Sequence, residues 1–389
     1  MQAARRVLRA WSATLQAIAR DRGVLLVMVL APLVYGFFYP WPYASQTVTR
    51  VPVAVVDLDH SSLSRQITRY AQADPRLQVH LITGDEGAAR RALWAGEIEG
   101  YAVLPRELRR RVLRGTAAVI TVEADGSYAL INRSVLAGFS EVVGAVSAGV
   151  EITQLERAGQ DARQAMASRK PIGTQSVALF NPTEGYGSFV VPAVALLIIQ
   201  QTLLMAVGML VGLWTETGAH RADAATWLGR LLAFSSVGYA NGLLYFGWIF
   251  FLQDFPRGAN TGGALLLLAC FIPAICSAGA LLGVWFGNRE RALQVLLLTA
   301  IPAIFLSGFS WPAQALPDAL QALRWLLPST AGIEAALKLN QMGAPLADVA
   351  GLLLVLLILT AVAGLLLLRV ARPVRTAATA LAPRVLAAP

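Results

Sequence analysis

Apolar positions along this chain gather into six long runs, separated by polar stretches of very unequal length. With about 20 residues needed to cross a bilayer, the runs predict spans at 23–41, 188–213, 229–252, 262–286, 292–310 and 349–369. The first stands alone, and the other five crowd into 188–370. Between them, 42–187 changes character. The run V-P-V-A-V-V-D from Val51 to Asp57 is rich in β-branched residues and ends in acidic turn residues, which predicts a strand. Helical periodicity follows at 61–72 behind a Ser cap, then strand at 77–82, helix at 85–95, strand at 98–104, a basic helix at 106–114 and strand at 117–123. A long helical pattern covers 127–168. Strands alternating with helices imply a small α/β layer domain inserted between the first two spans. The expected fold class is an α-helical polytopic membrane protein with that insertion.

The N-terminal stretch 1–22 has a narrower pattern. On a helical wheel Val7, Leu8, Trp11, Leu15 and Ile18 share one side, and Arg5, Arg6, Arg9 and Arg20 lie opposite. That predicts an amphipathic helix at a membrane interface. Its role is either coupling or plain anchoring. The other exception is 302–343, where an apolar run ends at Ser307-Gly308 and proline recurs at 302, 312, 317 and 328. Proline removes a backbone donor and stops a helix. At membrane depth such breaks survive only inside protein or beside a water-filled cavity. The segment 311–345 therefore reads as re-entrant.

Composition agrees with a membrane protein: 56% of the 389 residues are hydrophobic, 14% are charged, and the mean hydropathy is +0.57. The net charge of +9 would suit nucleic acid, but its placement excludes that partner. The insertion carries almost balanced charge, and the excess arginines sit before the first span, at 221 and 230, at 289 and 291, and from 369 into the tail 371–389. With six spans all of these fall on one side, which the positive-inside rule makes cytoplasmic together with both termini. The insertion and the segment 311–345 then lie outside. Cys270 and Cys276 share one apolar run and cannot bridge along a helix.

Catalytic signatures are missing. Neither lysine, Lys170 nor Lys338, follows a glycine, so there is no phosphate-binding P-loop. There is no H-E-x-x-H and no G-x-S-x-G. Asp57 and Asp59 fit a capping turn. No catalytic, cofactor or metal residue is expected. The span interiors hold amides and hydroxyls but almost no charge, which disfavours a proton-coupled secondary drug transporter. Gln200, Gln201, Asn241 and Tyr245 either line a conduit or join helices by hydrogen bonds.

The plan of one span, a large insertion and five spans resembles the permease subunits of ABC type-2 exporters, in the branch with a large extracytoplasmic insertion. The motif I-P-A-I-F-L-S-G-F-S-W-P-A-Q-A-L-P at 301–317, L-L-P-S-T-A-G-I-E at 326–334 and Q-M-G at 341–343 carry the likeness. So do V-A-V-V-D-L-D-H-S-S-L-S-R at 53–65, L-W-A-G-E-I-E-G-Y-A-V-L-P-R-E-L at 93–108 and N-P-T-E-G-Y-G-S-F-V-V-P at 181–192. The resemblance implies a permease in the bacterial inner membrane, moving a hydrophobic or amphipathic molecule outward. It also implies a cytosolic ATP-binding cassette ATPase, which holds the ATP and Mg, and a second permease copy, identical or paralogous. A periplasmic adaptor (a membrane fusion protein) docking on the outer domain belongs to the same picture. By this resemblance Trp214, Glu216, Gly218, His220 and Arg221 form the ATPase-coupling loop, assisted by the helix carrying Arg5, Arg6, Arg9 and Trp11. Pro302, Ser307, Gly308, Trp311, Pro312, Pro317, Pro328, Glu334 and Gly343 form an outer gate. One departure stands out: Ala219 replaces the Thr that usually follows the loop glycine, and the basic neighbours before it are missing. The alternative from another class is a membrane-anchored sensor or scaffold with a ligand-binding outer domain.

Overall fold

The computed structural model describes residues 2–169, 178–182, 184–255 and 258–372. Lys170, Thr183 and the tail with Arg375 and Arg384 lie outside the described residues. The chain divides into two units, 1–46 with 178–389, and 47–177.

The first unit opens with α1 (Gln2–Arg20). Asp21 then caps the next helix by accepting from the Gly23 and Val24 N–H groups, both at 3.0 Å, which turns the chain without leaving those donors unpaired. The helix that follows runs through α2 (Arg22–Leu25), a π-helical stretch at Leu26–Leu30, and α3 (Ala31–Phe38).

The second unit is built on a four-stranded sheet: β1 (Val51–Asp57), β2 (Leu77–Thr83), β3 (Gly100–Leu104) and β4 (Thr121–Ala124), in the order β2-β1-β3-β4. β1 pairs in parallel with β2 and β3, and β4 is antiparallel to β3. Between the strands lie α4 (Ser62–Ala73), α5 (Glu86–Trp94) and α6 (Leu108–Leu113). The period-two alternation of β1 sorts the layers. Val53 and Val55 pack with Ile67 of α4 and with Val135 and Phe139 of α7 (Ala129–Arg157). Ala54 and Val56 pack with Ala89 and Ala92 of α5 on the other face. The Asp57 carboxylate accepts from the Asp59 and His60 N–H groups and from the Ser64 hydroxyl, and Asp59 accepts from the Arg109 N–H. These two carboxylates therefore cap separate elements. The long helix expected at 127–168 is instead two, α7 and α8 (Ala162–Arg169), because Gly159 at φ +93° ends the first in a left-handed turn.

The first unit then resumes with α9 (Tyr186–Glu216), α10 (Ala224–Leu243), a π-helical stretch at Leu244–Ile249, α11 (Phe250–Leu252) and α12 (Thr261–Phe286). After α13 (Arg289–Leu298) and α14 (Ala300–Leu306) come the short α15 (Asp318–Leu323), α16 (Pro328–Ala336) and the final α17 (Ala350–Val370). α9 is apolar on all sides and buried on nearly all of them, as a central helix must be. By contrast, Leu26, Leu30, Val34 and Phe38 stay exposed every fourth residue along α2–α3, and Leu354, Leu357, Ile358 and Leu365 stay exposed on α17. Such apolar faces suit contact with lipid.

Among the described residues, five helices are long and apolar enough to cross a membrane: Arg22–Tyr43, Ala129–Arg157, Tyr186–Glu216, Thr261–Phe286 and Leu346–Val370. Four coincide with expected spans. The fifth, α7, lies in the second unit, where it covers the sheet through Val135, Phe139, Val142 and Val146. The expected spans at 229–252 and 292–310 are not in this set. In the first of them, Ser235, Ser236, Asn241 and Tyr245 dilute the apolar character. The second is cut at Thr299 into two short helices. Pro302 has no N–H for the Leu298 carbonyl and its ring crowds that turn.

Candidate functional site

One end of the helical unit gathers the arginine-flanked corners. α1 lies along α10, with Arg6 paired to Asp223 at 2.7 Å, and the Trp11 indole donates to Ser236 at 3.1 Å. Gly229 makes this approach feasible, since a Cβ there would sit 2.3 Å from the Val7 carbonyl oxygen and 2.7 Å from the Ala10 Cβ. The face that α1 buries is therefore Val7, Ala10, Trp11, Thr14 and Ile18. Periodicity puts Leu8 on the apolar side, but it is 64% exposed, because the contact with α10 follows the small Ala10 and Thr14 rather than the largest side chains. Arg5 and Arg9 are exposed.

The loop after α9 is rigidly built. The Arg230 guanidinium lies 4.3 Å and 4.8 Å from the ring centroids of Trp214 and Trp227, and it donates to the Ala219 carbonyl. Trp227 donates to the His220 carbonyl, and the Ala222 N–H donates to the Ala371 carbonyl beyond α17. Gly218 turns the chain at φ +76°. Glu216 accepts from the Arg289 N–H at 2.8 Å, which places an anion at the start of α13, where the helix dipole favours one. Arg221 is exposed.

Sequence reasoning missed the strongest contact at this end. Arg289 forks onto Asp21 with two charge-assisted bonds of 2.5 and 2.7 Å. The Arg289 guanidinium beside Asp21 holds that carboxyl below the usual carboxylate range. No local spacing signals a pair 268 residues apart. The corner before α2, the end of α9 and the start of α13 are thus joined through Arg289.

The four polar span residues each reach a different neighbour. Gln200 donates to the Ser329 hydroxyl at 3.1 Å and accepts from the Ser329 N–H at 2.6 Å, so it caps α16 from another helix. Gln201 donates to the Leu296 carbonyl at the α13–α14 break. Asn241 donates to the Met28 carbonyl at 2.8 Å and Tyr245 to the Pro32 carbonyl at 2.6 Å, beside the π-helical stretch of the first span. Of the two roles set out for these residues, the geometry supplies the bonds between helices. Gln200 and Ser329 are fully buried, so Gln200→Leu is expected to strand the Ser329 donor. It should destabilise the protein by about 2 kcal/mol, read as a lowered Tm in detergent. An unchanged Tm would show that the cap is dispensable.

The broken hairpin has the expected breaks. Ser307 ends α14, Gly308 turns at φ +84°, Pro317 precedes α15, Pro328 is the first residue of α16, and Gly343 turns at φ +67°. Pro302 sits inside α14, and Trp311 and Pro312 are exposed beyond it. Glu334 pairs with Lys338 at 3.1 Å. A cavity of about 600 Å³ opens between the Ser307–Gln314 turn, Arg324 and α16.

A second feature escaped the sequence reading although its signal was present. Gly208 and Gly212 on α9, and Gly279 and Gly283 on α12, are two G-x-x-x-G pairs. A Cβ on Gly283 would lie 2.8 Å from the Gly208 carbonyl oxygen, and one on Gly212 would lie 2.9 Å from the Asn288 backbone. The central helices therefore touch backbone to backbone.

Comparison with known proteins supplies the context. A sequence profile described as "ABC-2 family transporter protein" matches residues 22–369. The Escherichia coli K12 protein called "Probable multidrug ABC transporter permease YbhS" is 25% identical over 321 residues, covering 80% of this chain and 82% of that protein. The Bacillus subtilis "Linearmycin resistance permease protein LnrN" is 22% identical over 377 residues, covering 88% and 94%. A second Escherichia coli K12 protein, "Probable multidrug ABC transporter permease YbhR", is 20% identical over 326 residues, covering 81% and 84%.

Proposed function

This chain belongs to the ABC-2 family of transporter proteins, and from that premise we propose that it is the membrane permease of an ATP-driven exporter, exporting a hydrophobic or amphipathic molecule of the drug or antibiotic class. Support for the cargo class comes from the relatives named for multidrug transport and linearmycin resistance. The permease works with a separate cytosolic ATP-binding cassette ATPase, which supplies the ATP and Mg site, and with a second permease copy. It sits in the inner membrane with both termini cytoplasmic and the α/β unit outside, where a periplasmic adaptor docks.

The observation that carries the reading is the arginine-rich end. The loop 217–223 is braced by the Trp214–Arg230–Trp227 stack, tied to α1 through Asp223 and Arg6, and adjoins the Glu216 contact with α13. A push on this loop reaches three helices without passing through a flexible hinge. That is what a subunit driven from outside itself requires, since the ATPase biases two arrangements of the spans only through differential contacts.

Co-purification with candidate ATP-binding cassette ATPases of the same organism, followed by ATP turnover, tests the reading. A stable complex with turnover above that of the ATPase alone is expected, and no association with any ATPase would overturn it. Within that complex Glu216→Lys is expected to lower stimulated turnover severalfold at normal expression, by placing a cation at the positive end of α13. Gly218→Pro should do the same, since proline cannot adopt φ +76°. Unchanged turnover in both variants would move coupling away from this loop.

A further inference from the structure

Among the described residues, Arg324 is a buried charge of the helical unit that lacks an ion pair. It is 8% exposed, and its Nε is buried without a hydrogen-bond partner. Among the described residues its guanidinium makes no ion pair; its one side-chain contact of note is with the Trp325 ring, 5.3 Å away. Its position is fixed from behind, because its carbonyl accepts from the Thr330 hydroxyl at 2.6 Å and from the Leu327 N–H at 3.1 Å. In front lies the 600 Å³ cavity that it lines together with Gly308, Phe309, Gln314 and Ile333. Gly308 leaves the guanidinium its room, since a Cβ there would stand 3.0 Å from an Arg324 terminal nitrogen. The cavity holds one carboxylate, Glu334, and Lys338 already offsets it.

A buried arginine without a counter-charge is costly, and removing it from water is repaid only when an anion meets it. Arginine's planar fork fits two oxygens of a carboxylate or phosphate. The surrounding Phe189, Phe309 and Ile333 offer apolar surface, and the volume suits a drug-sized body. We propose that this cavity is a binding site for an amphipathic anion, with a carboxylate or phosphate group on Arg324 and an apolar body against Phe189 and Phe309. Two sources carry that chemistry, an exported molecule and an anionic lipid headgroup. The binding claim stands without the permease reading; only the assignment of the occupant as cargo rests on it.

Full-length protein in phosphatidylcholine nanodiscs is dialysed to equilibrium against dodecyl phosphate or dodecyltrimethylammonium, with empty discs as the blank. Saturable binding of dodecyl phosphate is expected, about tenfold or more tighter than the cation. Arg324→Gln should erase that preference and leave the cation unaffected, and Arg324→Lys should retain much of it. Equal affinity for the two headgroups in the wild type would overturn the proposal even if no variant folds, and so would full dodecyl phosphate binding by Arg324→Gln. Discs containing phosphatidylglycerol then separate the sources. Weakened dodecyl phosphate binding assigns the site to lipid, and unaltered binding assigns it to an exported amphiphile. Neither result depends on an ATPase, so failure here is distinct from failure of the permease reading.

Discussion

Gly283→Leu is expected to leave almost no monodisperse protein after extraction, while Gly283→Ala survives with a lowered Tm. α9 is the hub of the helical unit, and α12 approaches it so closely that a Cβ on Gly283 falls 2.8 Å from the Gly208 carbonyl oxygen and 2.9 Å from the Val211 Cβ. One of those obstacles is backbone, so no side-chain rotation relieves the clash and the helices must part. A single added methyl in a close-packed interior costs about 1–3 kcal/mol, comparable to a sizeable fraction of a domain's net stability. Leucine adds three further carbons in the same place. The spacing also governs other contacts, because α9 carries Gln200 to α16 and Gln201 to α13. Size-exclusion profiles and thermal melts in detergent check both variants. A Gly283→Leu protein that elutes and melts like the wild type would show that this approach is not a constraint.

Removing the charge from either partner of the Asp21–Arg289 pair is expected to cost about 2 kcal/mol. The side chains are 15% and 29% exposed respectively, so solvent screens the pair only partly. Asn is the informative replacement at 21, because it still accepts from the Gly23 and Val24 N–H groups while losing the charge. In a double-mutant cycle with Arg289→Gln, the second change should add little once the first is made. The effect has a definite pH sign. Arg289 holds the Asp21 carboxyl below its ordinary value. Its contribution is therefore complete above the usual carboxylate pKa of about 4 and is lost as pH falls from there through the lower folded value. The Tm gap between wild type and Asp21→Asn should be widest near neutrality and close in acid. A constant gap, or additive single variants, would assign Asp21 to capping alone.

The parts of the fold with a local cause could be read from the sequence. β1 announces itself by V-P-V-A-V-V-D, Ser61 caps α4 with Ser64 answering in a reciprocal box, and Pro328 starts α16 as its first residue. The apolar runs gave α9, α12 and α17 because a helix in lipid needs little beyond length. The reading faltered where neighbours decide. Hydropathy does not distinguish α7, whose apolar stripe covers a sheet, from a helix bound for lipid. The run at 292–310 hides the break at Thr299, although Pro302 pointed to it. The loop after α9 could be picked out by its polarity between apolar runs, but its bracing by Arg230 required two tryptophans to meet in space. Arg324 drew no notice, because a lone arginine in a loop acquires meaning only once it is known to be buried.

The Gln200–Ser329 bond also has a bearing on how the chain is put together. α16 has nine residues and continues through a π-helical stretch at Leu337–Gln341, 14 residues together, which rises about 20 Å, short of a hydrocarbon core of about 30 Å. A segment that short cannot be released sideways into lipid as an independent span. Its first turn needs the Gln200 amide, and Gly332 makes room for the ring of Phe271 on α12, which a Cβ there would approach to 2.6 Å. Both hosts precede it in the chain, so synthesis from the N-terminus has finished the socket before the plug emerges. Reversing that order by circular permutation would present α16 to the translocon with nowhere to go.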